Sequence, residues 1–164
     1  DLVVPEDYLH DTCMKTFDEK HLVGEFYHYD NSLTDDNYKN ATTKLTPGQK
    51  FQVRIFQVNG NIPSDNCLIF MRSKKARLVG AQGLHLFYDQ FHNQWKNYIK
   101  KPQVITRNLL SFDDESALWK DNHGEHKVPL LHCPTKEDTQ GFHLRSFKRE
   151  LGKDDCILYF HDSE

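Results

Sequence analysis

The fold turns on the reading of RLVGAQGLHLFYDQF, Arg77 to Phe91. From the residues, Arg77 to Gly80 reads as a short buried strand, and Gly80-Ala81-Gln82-Gly83 as a tight turn. Leu84 to Phe91 follows as a second strand, apolar or aromatic with His85, Asp89 and Gln90 interspersed. Working outward, Phe51, Val53 and Ile55 alternate with Gln52 and Arg54, the pattern of a half-buried strand that Asn59-Gly60 then stops. Val104 to Phe112 and Val128 to His132 supply further strands, and Leu22 to Tyr29 another through Val23, Phe26, Tyr27 and Tyr29. Every residue from Cys156 to Phe160 is apolar or aromatic, as expected of an interior strand. Phe142 to Leu151 reads as a strand followed by a helical turn ending at Gly152.

Two helices complete the pattern. Pro5-Glu6-Asp7 opens the first with a proline and early acids, and Leu9, Cys13 and Phe17 then recur along one face. Ser64 caps the second, Asp65 to Lys75, which carries acid at its start and Arg72, Lys74 and Lys75 at its end. Asn31 to Gln49 is a polar loop closing at Thr46-Pro47-Gly48. These elements do not alternate as regular βαβ units. The expected fold is therefore α+β: a mainly antiparallel sheet of six or seven strands with two helices. Residues 1–164 read as a single domain, with the helical segment 5–20 as an extension to it.

The composition bounds the class of molecule. A chain of 164 residues buries roughly 70% of its unfolded surface. Its mean hydropathy of -0.75 is low, yet 11 Phe, 7 Tyr and 2 Trp supply bulky core material. A formal charge of -3 leaves no general basic excess to neutralise many phosphates, which argues against nucleic acid as a partner. No apolar run approaches the roughly 18 residues of a membrane span. Beginning at Asp1 rather than methionine, the chain reads as a processed product, a trimmed form or a domain cut from something longer. Cys13, Cys67, Cys133 and Cys156 lie far apart and mostly inside apolar runs; they read as buried free thiols in a reducing compartment, with two disulfides as the alternative. Asn40-Ala41-Thr42 is a glycosylation sequon, a tripeptide that also arises by chance in such loops.

The densest run of chemically active side chains is SFDDESALWKDNHGEHKVPLLHC, Ser111 to Cys133. His123, His126, His132 and Cys133 are suitable zinc ligands, but they must converge to within about 2.0–2.3 Å of the metal. On a strand, His132 and Cys133 project to opposite faces, and Asn122-His123-Gly124 reads as an exposed turn, so the expectation is no metal site. Asp113, Asp114, Glu115 and Lys120 offer acid–base or nuclease chemistry, as do His28 and Asp30 on one strand face. The bland reading of the acidic trio is a helix entrance capped by Ser111. Cysteine catalysis needs a partly exposed thiolate beside histidine, whereas each cysteine here has an apolar neighbour. Gly80-Ala81-Gln82-Gly83 lacks the lysine and hydroxyl of a phosphate loop, and nothing calls for a cofactor. Arg72-Ser73-Lys74-Lys75-Ala76-Arg77, with Lys96, Lys100 and Lys101 near Trp95 and Tyr98, is the one basic and aromatic concentration, and reads as a solvated helix end.

Ser111-Phe112-Asp113, Leu118-Trp119-Lys120-Asp121, Gly124 and Val128-Pro129 form the spaced string SFD-x4-LWKD-x2-G-x3-VP. With Leu78 to Gly83 and the Cys67-Leu68 helix, it resembles a family of small uncharacterised bacterial proteins over roughly Leu45 to Phe160. The resemblance implies a bacterial origin and, in the cytoplasm, reduced cysteines; it brings no activity and no site residues. The expected function is a non-catalytic binding domain, with another protein as partner. Phe26-Tyr27-His28-Tyr29 and Phe87-Tyr88-Asp89-Gln90-Phe91 are candidate interface pieces whose alternative is core packing. The competing readings are a small metal-dependent hydrolase or nuclease using Asp, Glu and His residues, and a domain of a secreted bacterial effector.

Overall fold

A computed structural model describes residues 1–21, 24–92, 94–95, 106–134 and 139–163. Among these residues seven strands form one mixed sheet: β1 (Leu2–Val3), β2 (Phe26–Tyr29), β3 (Lys50–Gln57), β4 (Thr106–Ser111), β5 (Lys127–Pro134), β6 (Gln140–Ser146) and β7 (Asp155–Asp162). Their order is β1-β3-β7-β4-β5-β6-β2. The α+β class is as expected, but the sheet is less uniformly antiparallel than the sequence suggests. Four pairings are antiparallel, while β4/β7 and β2/β6 run parallel. The apolar run at Cys156 to Phe160 is an interior strand, bonded on both sides by β3 and β4.

Among the described residues three α-helices are present, not two: α1 (Cys13–Lys20), α2 (Ser64–Ser73) and α3 (Gly80–Phe91). The third replaces the turn and strand expected from Gly80 to Phe91. All nine residues from Gly80 to Tyr88 are buried, so no polar face marks the helical period. An element buried all round reads like an interior strand, and the 12-residue length of α3 is what distinguishes it. Gly80 enters the helix at φ +53, a left-handed conformation that favours glycine. Arg77 makes a single antiparallel bridge to Phe160 instead of founding a strand.

Other boundaries shift for local reasons. Pro63, not Ser64, occupies the cap position of α2, and the Ser64 hydroxyl donates to the Phe147 carbonyl instead. The buried residues Ser64, Cys67, Leu68 and Met71 then carry the helical spacing. The first helix starts at Cys13, after a single 3-10 turn at His10–Thr12, and Leu9 is exposed. After β6 the chain makes a turn, with Arg149 N–H donating to Ser146, and returns to bridge Ile62 through Leu151. No helical turn forms there.

The helices cover the sheet unequally. Phe142 on β6 meets Phe17 of α1 and His85 and Tyr88 of α3, so α1 and α3 lie over one face. Cys13, Met14 and Phe17 join the same core cluster as the strands. Phe56 has the opposite parity on β3 and meets Phe70 of α2, which places α2 on the other face. There α2 shields the β3–β7 side, leaving polar side chains of β4, β5, β6 and β2 to line an open groove.

Candidate functional site

Register alone assembles the groove. Asp155 on β7 pairs with Asn108 on β4, Asn108 with His132 on β5, and His132 with Gly141 on β6. Gly141 in turn pairs with His28 on β2, where a bulge after Phe26 inserts Tyr27 as an extra residue. One cross-strand row thus runs across five strands. Leu130 faces His143, and Val128 faces Arg145, in the adjoining rows. The resulting cavity of about 580 Å³ is lined by Tyr27, Asn108, Lys127, His132, His143 and Arg145, together with Arg149 and three others.

Hydrogen bonding fixes the state of His132. Asp155 presents only acceptor oxygens, so Asn108 turns Nδ2 towards Oδ1 of Asp155, donating over 2.9 Å. The Asn108 carbonyl oxygen therefore faces His132 and accepts from Nδ1–H at 2.7 Å. That leaves His132 Nε2 with its lone pair and no hydrogen-bond partner among the described residues. Asp155 itself is held by the Gly152 N–H at 2.8 Å. Arg145 Nη1 lies 2.8 Å from Asp155 Oδ2, a buried ion pair on a side chain only 10% exposed.

A second imidazole completes the groove. His143 Nε2 is 2.6 Å from the Tyr27 hydroxyl, and its ring stands 5.7 Å from that of His132 and 4.5 Å from that of His28. Gly141 makes this possible: a Cβ there would sit 2.5 Å from Tyr27 Cζ and 2.8 Å from His143 Nε2. Burial, and then the Arg145 guanidinium, draws His132 below the usual imidazole range. Burial, then the neighbouring His28 and His132, does the same to His143, against a weaker opposing pull from Asp30. Both rings are therefore proton acceptors at neutral pH. Permanent positive charge comes from Lys127, Arg145 and Arg149, of which Arg145 faces Asp155 at 2.8 Å and Lys127 faces Asp121 and Glu125 at 3.5 and 3.6 Å.

The Ser111 to Cys133 run, by contrast, is mostly scaffold. Ser111 donates to the Gly80 carbonyl rather than capping a helix. Asp113 is buried, accepts the Thr42 and Asp114 N–H groups, and has its carboxyl raised chiefly by burial. Asp114 pairs with Arg72, and Glu115 begins a 3-10 turn. Lys120 bridges His126 through the backbone. Asp121 accepts the Glu125 and His123 N–H groups, and its Oδ2 lies 3.5 Å from Lys127 Nζ, steadying that cation at the end of the groove. His123 is exposed, and His126 Nδ1 bonds the Leu118 carbonyl at 3.1 Å. His132 enters the groove while Cys133 points into the core, the opposite-face arrangement expected of a strand. Among the described residues, no group of three or more His, Cys, Asp or Glu side chains converges to hold a metal ion.

The remaining candidates disperse. All four cysteines are buried and none forms a disulfide; burial pushes the Cys13 thiol up to about 12 and that of Cys67 up to about 11, which removes both as thiolate nucleophiles near neutral pH. His28 reaches the edge of the groove, whereas Asp30 accepts the Ser32 N–H. Arg77 pairs with Asp162, Lys74 lies over the Phe70 ring, and Trp95 is buried against Gln140. Lys96, Tyr98, Lys100 and Lys101 fall outside the described residues. Phe87 and Tyr88 are core, as are the inward rings of Phe26 and Tyr29, but Tyr27 is 46% exposed.

Comparison with known proteins returns no matching family model, no similar curated protein and no similar solved structure. The site therefore stands on its geometry. Among the described residues, no helix is long and apolar enough to cross a membrane. Sequence reading reached His132 and His28 but missed Asn108, Asp155, His143 and Arg145. One signal was available: in GFHLRSF, Gly141 to Phe147, His143 and Arg145 share a parity that Phe142 does not.

Proposed function

We propose that this chain is a binding domain whose recognition surface is the imidazole–guanidinium groove, and that it takes an anionic group, phosphate or carboxylate, from its ligand. The observation that carries the reading is charge placement. A chain of net charge -3 puts Lys127, Arg145 and Arg149 along one cavity, where Asp155 offsets Arg145 and Asp121 and Glu125 offset Lys127. A cavity of about 580 Å³ is of the size that accommodates a small ligand or one substituent of a larger one.

Calorimetric titration with inorganic pyrophosphate tests this. Saturable binding should weaken about tenfold in each of Lys127→Met and Arg149→Gln, the loss of one charge-assisted contact. Absence of binding, or binding indifferent to both substitutions, would overturn the reading.

A protein partner is the second reading, favoured by the apolar patch of α2. Ile69 is 63% exposed and Phe70 38%, beside the partly buried Phe56. A partner that carries acidic side chains would use patch and groove together. The kinship with small bacterial proteins belongs to the same proposal, supported by the spacing of the SFD-x4-LWKD-x2-G-x3-VP string.

A further inference from the structure

Resting on the second reading, that the apolar patch of α2 meets a protein, we propose that the partner is a second copy of this chain, with the two α2 helices packed antiparallel across a twofold axis. α2 buries Cys67, Leu68 and Met71 and leaves two rows of side chains in solvent: Asp65, Ile69 and Ser73, and beside them Asn66, Phe70 and Lys74. Four-residue spacing makes each row a ridge along the helix surface. Ile69 and Phe70 stand side by side at the middle, with acid at one end and base at the other. Phe70 packs on Phe56 at 4.7 Å between ring centres and carries Lys74 Nζ 5.6 Å from its own, while Ile69 meets solvent over most of its surface.

The order of residues along these rows is self-complementary. A dyad crossing α2 midway between Ile69 and Phe70 reverses the second helix on the first. It sets Ile69 beside Phe70 of the second copy, Asn66 beside its Ser73 and Asp65 beside its Lys74, and each pairing occurs twice. Ridges of this spacing interdigitate at a crossing of about 50°, the commonest class of helix packing. Such a crossing confines contact to roughly three turns, which matches the 10 residues of α2. The charges agree. Among the described residues neither Asp65 nor Lys74 has an ion-pair partner within the chain, whereas the neighbouring Arg72 is already taken by Asp114. Acid early and base late also suit the dipole of a lone helix, but the dipole gives no reason for Ile69 and Phe70 between them. A parallel pair would instead set Asp65 against Asp65 and Lys74 against Lys74, like charge on like. Three turns of helix bury less than the roughly 1,200 Å² of a standard interface, so the dimer is weak and its population follows concentration.

Sedimentation velocity of the intact chain over about 5–500 μM tests the inference. Half-association is expected at about 10–100 μM, and Ile69→Glu should raise that concentration at least about tenfold. Asp65→Lys and Lys74→Asp should each weaken the dimer about threefold, and the double variant should recover wild-type association. Both single changes oppose the helix dipole, so damage to α2 itself would add in the double variant where an intermolecular pair is restored. Circular dichroism verifies that each variant is folded. A monomer at every concentration would overturn self-association and leave the patch to a different protein. Monomer that instead sediments with phosphatidylserine vesicles, and ceases to in Ile69→Glu, would overturn the protein-interface reading as well. A dimer indifferent to Ile69→Glu would place the contact on another surface and reject the inference. Failure of the double charge variant to recover would reject the antiparallel arrangement.

Discussion

His85 should make the fold sensitive to acid by a predictable amount. The ring is 2% exposed; Nδ1 donates to the Ala81 carbonyl at 2.6 Å, and Nε2 accepts from the Tyr29 hydroxyl at 2.7 Å. It stacks on Phe142 and meets Phe17 edge-on, so a proton on Nε2 would cost both the Tyr29 bond and an unsolvated charge. Burial accordingly lowers its pKa from 6.5 to about 4. Above 6.5 both folded and unfolded chains carry the neutral ring. As the pH falls, the unfolded chain takes up a proton that the folded one refuses, so the stability present above 6.5 is lost down to about 4. At about 1.4 kcal/mol per unit, the loss assignable to His85 is about 3 kcal/mol. Urea unfolding of wild type and His85→Gln at a series of pH values measures it. The glutamine can still accept the Tyr29 hydroxyl but does not titrate. The two stability curves should converge by about 3 kcal/mol between pH 7 and pH 4. Curves that stay parallel would show that His85 does not carry the acid sensitivity.

Two substitutions probe the framework. Gly83→Ala would ordinarily gain up to about 1 kcal/mol of helix propensity, but a Cβ at Gly83 runs into the Val79 side chain. A net loss of about 1–3 kcal/mol in chemical denaturation is expected, largely recovered when Val79→Ala is added. Asp155→Ala removes the partner of Arg145 and the acceptor of Asn108 inside the fold. It should cost about 3–5 kcal/mol in the same assay, and His132 should lose its single tautomer in ring-nitrogen NMR spectra. Unchanged stability together with an unchanged His132 spectrum would show that Asp155 does not set the Asn108–His132 hydrogen bond.

The strands and the groove were legible in the sequence to very different degrees. β3 declares itself because Phe51, Val53 and Ile55 alternate with polar residues, and β7 because an interior strand between two neighbours has no solvent face. α3 stayed hidden because burial from Gly80 to Tyr88 erases the polar half of the helical pattern. The site was harder still. Tyr27, Asn108, His132, His143, Arg145 and Asp155 sit on five strands and meet only through register. Local ligand density pointed instead to Ser111 to Cys133. There Asp113, Asp114 and Asp121 spend their oxygens on backbone N–H groups, Arg72 and Lys127, and one histidine, His132, reaches the groove. Side chains close in sequence were satisfying the loop, while those that form the cavity were dispersed along the chain.

The ring nitrogens of His132 and His143 report most directly on the groove. In the free protein at neutral pH, nitrogen-15 NMR should show His132 as the Nδ1–H tautomer with Nε2 unprotonated. Adding inorganic pyrophosphate should shift both histidines along one saturation curve and draw protons onto them, because an anion favours the charged imidazole. Spectra of both rings that remain unchanged at saturating pyrophosphate would contradict the account of this groove as an anion site.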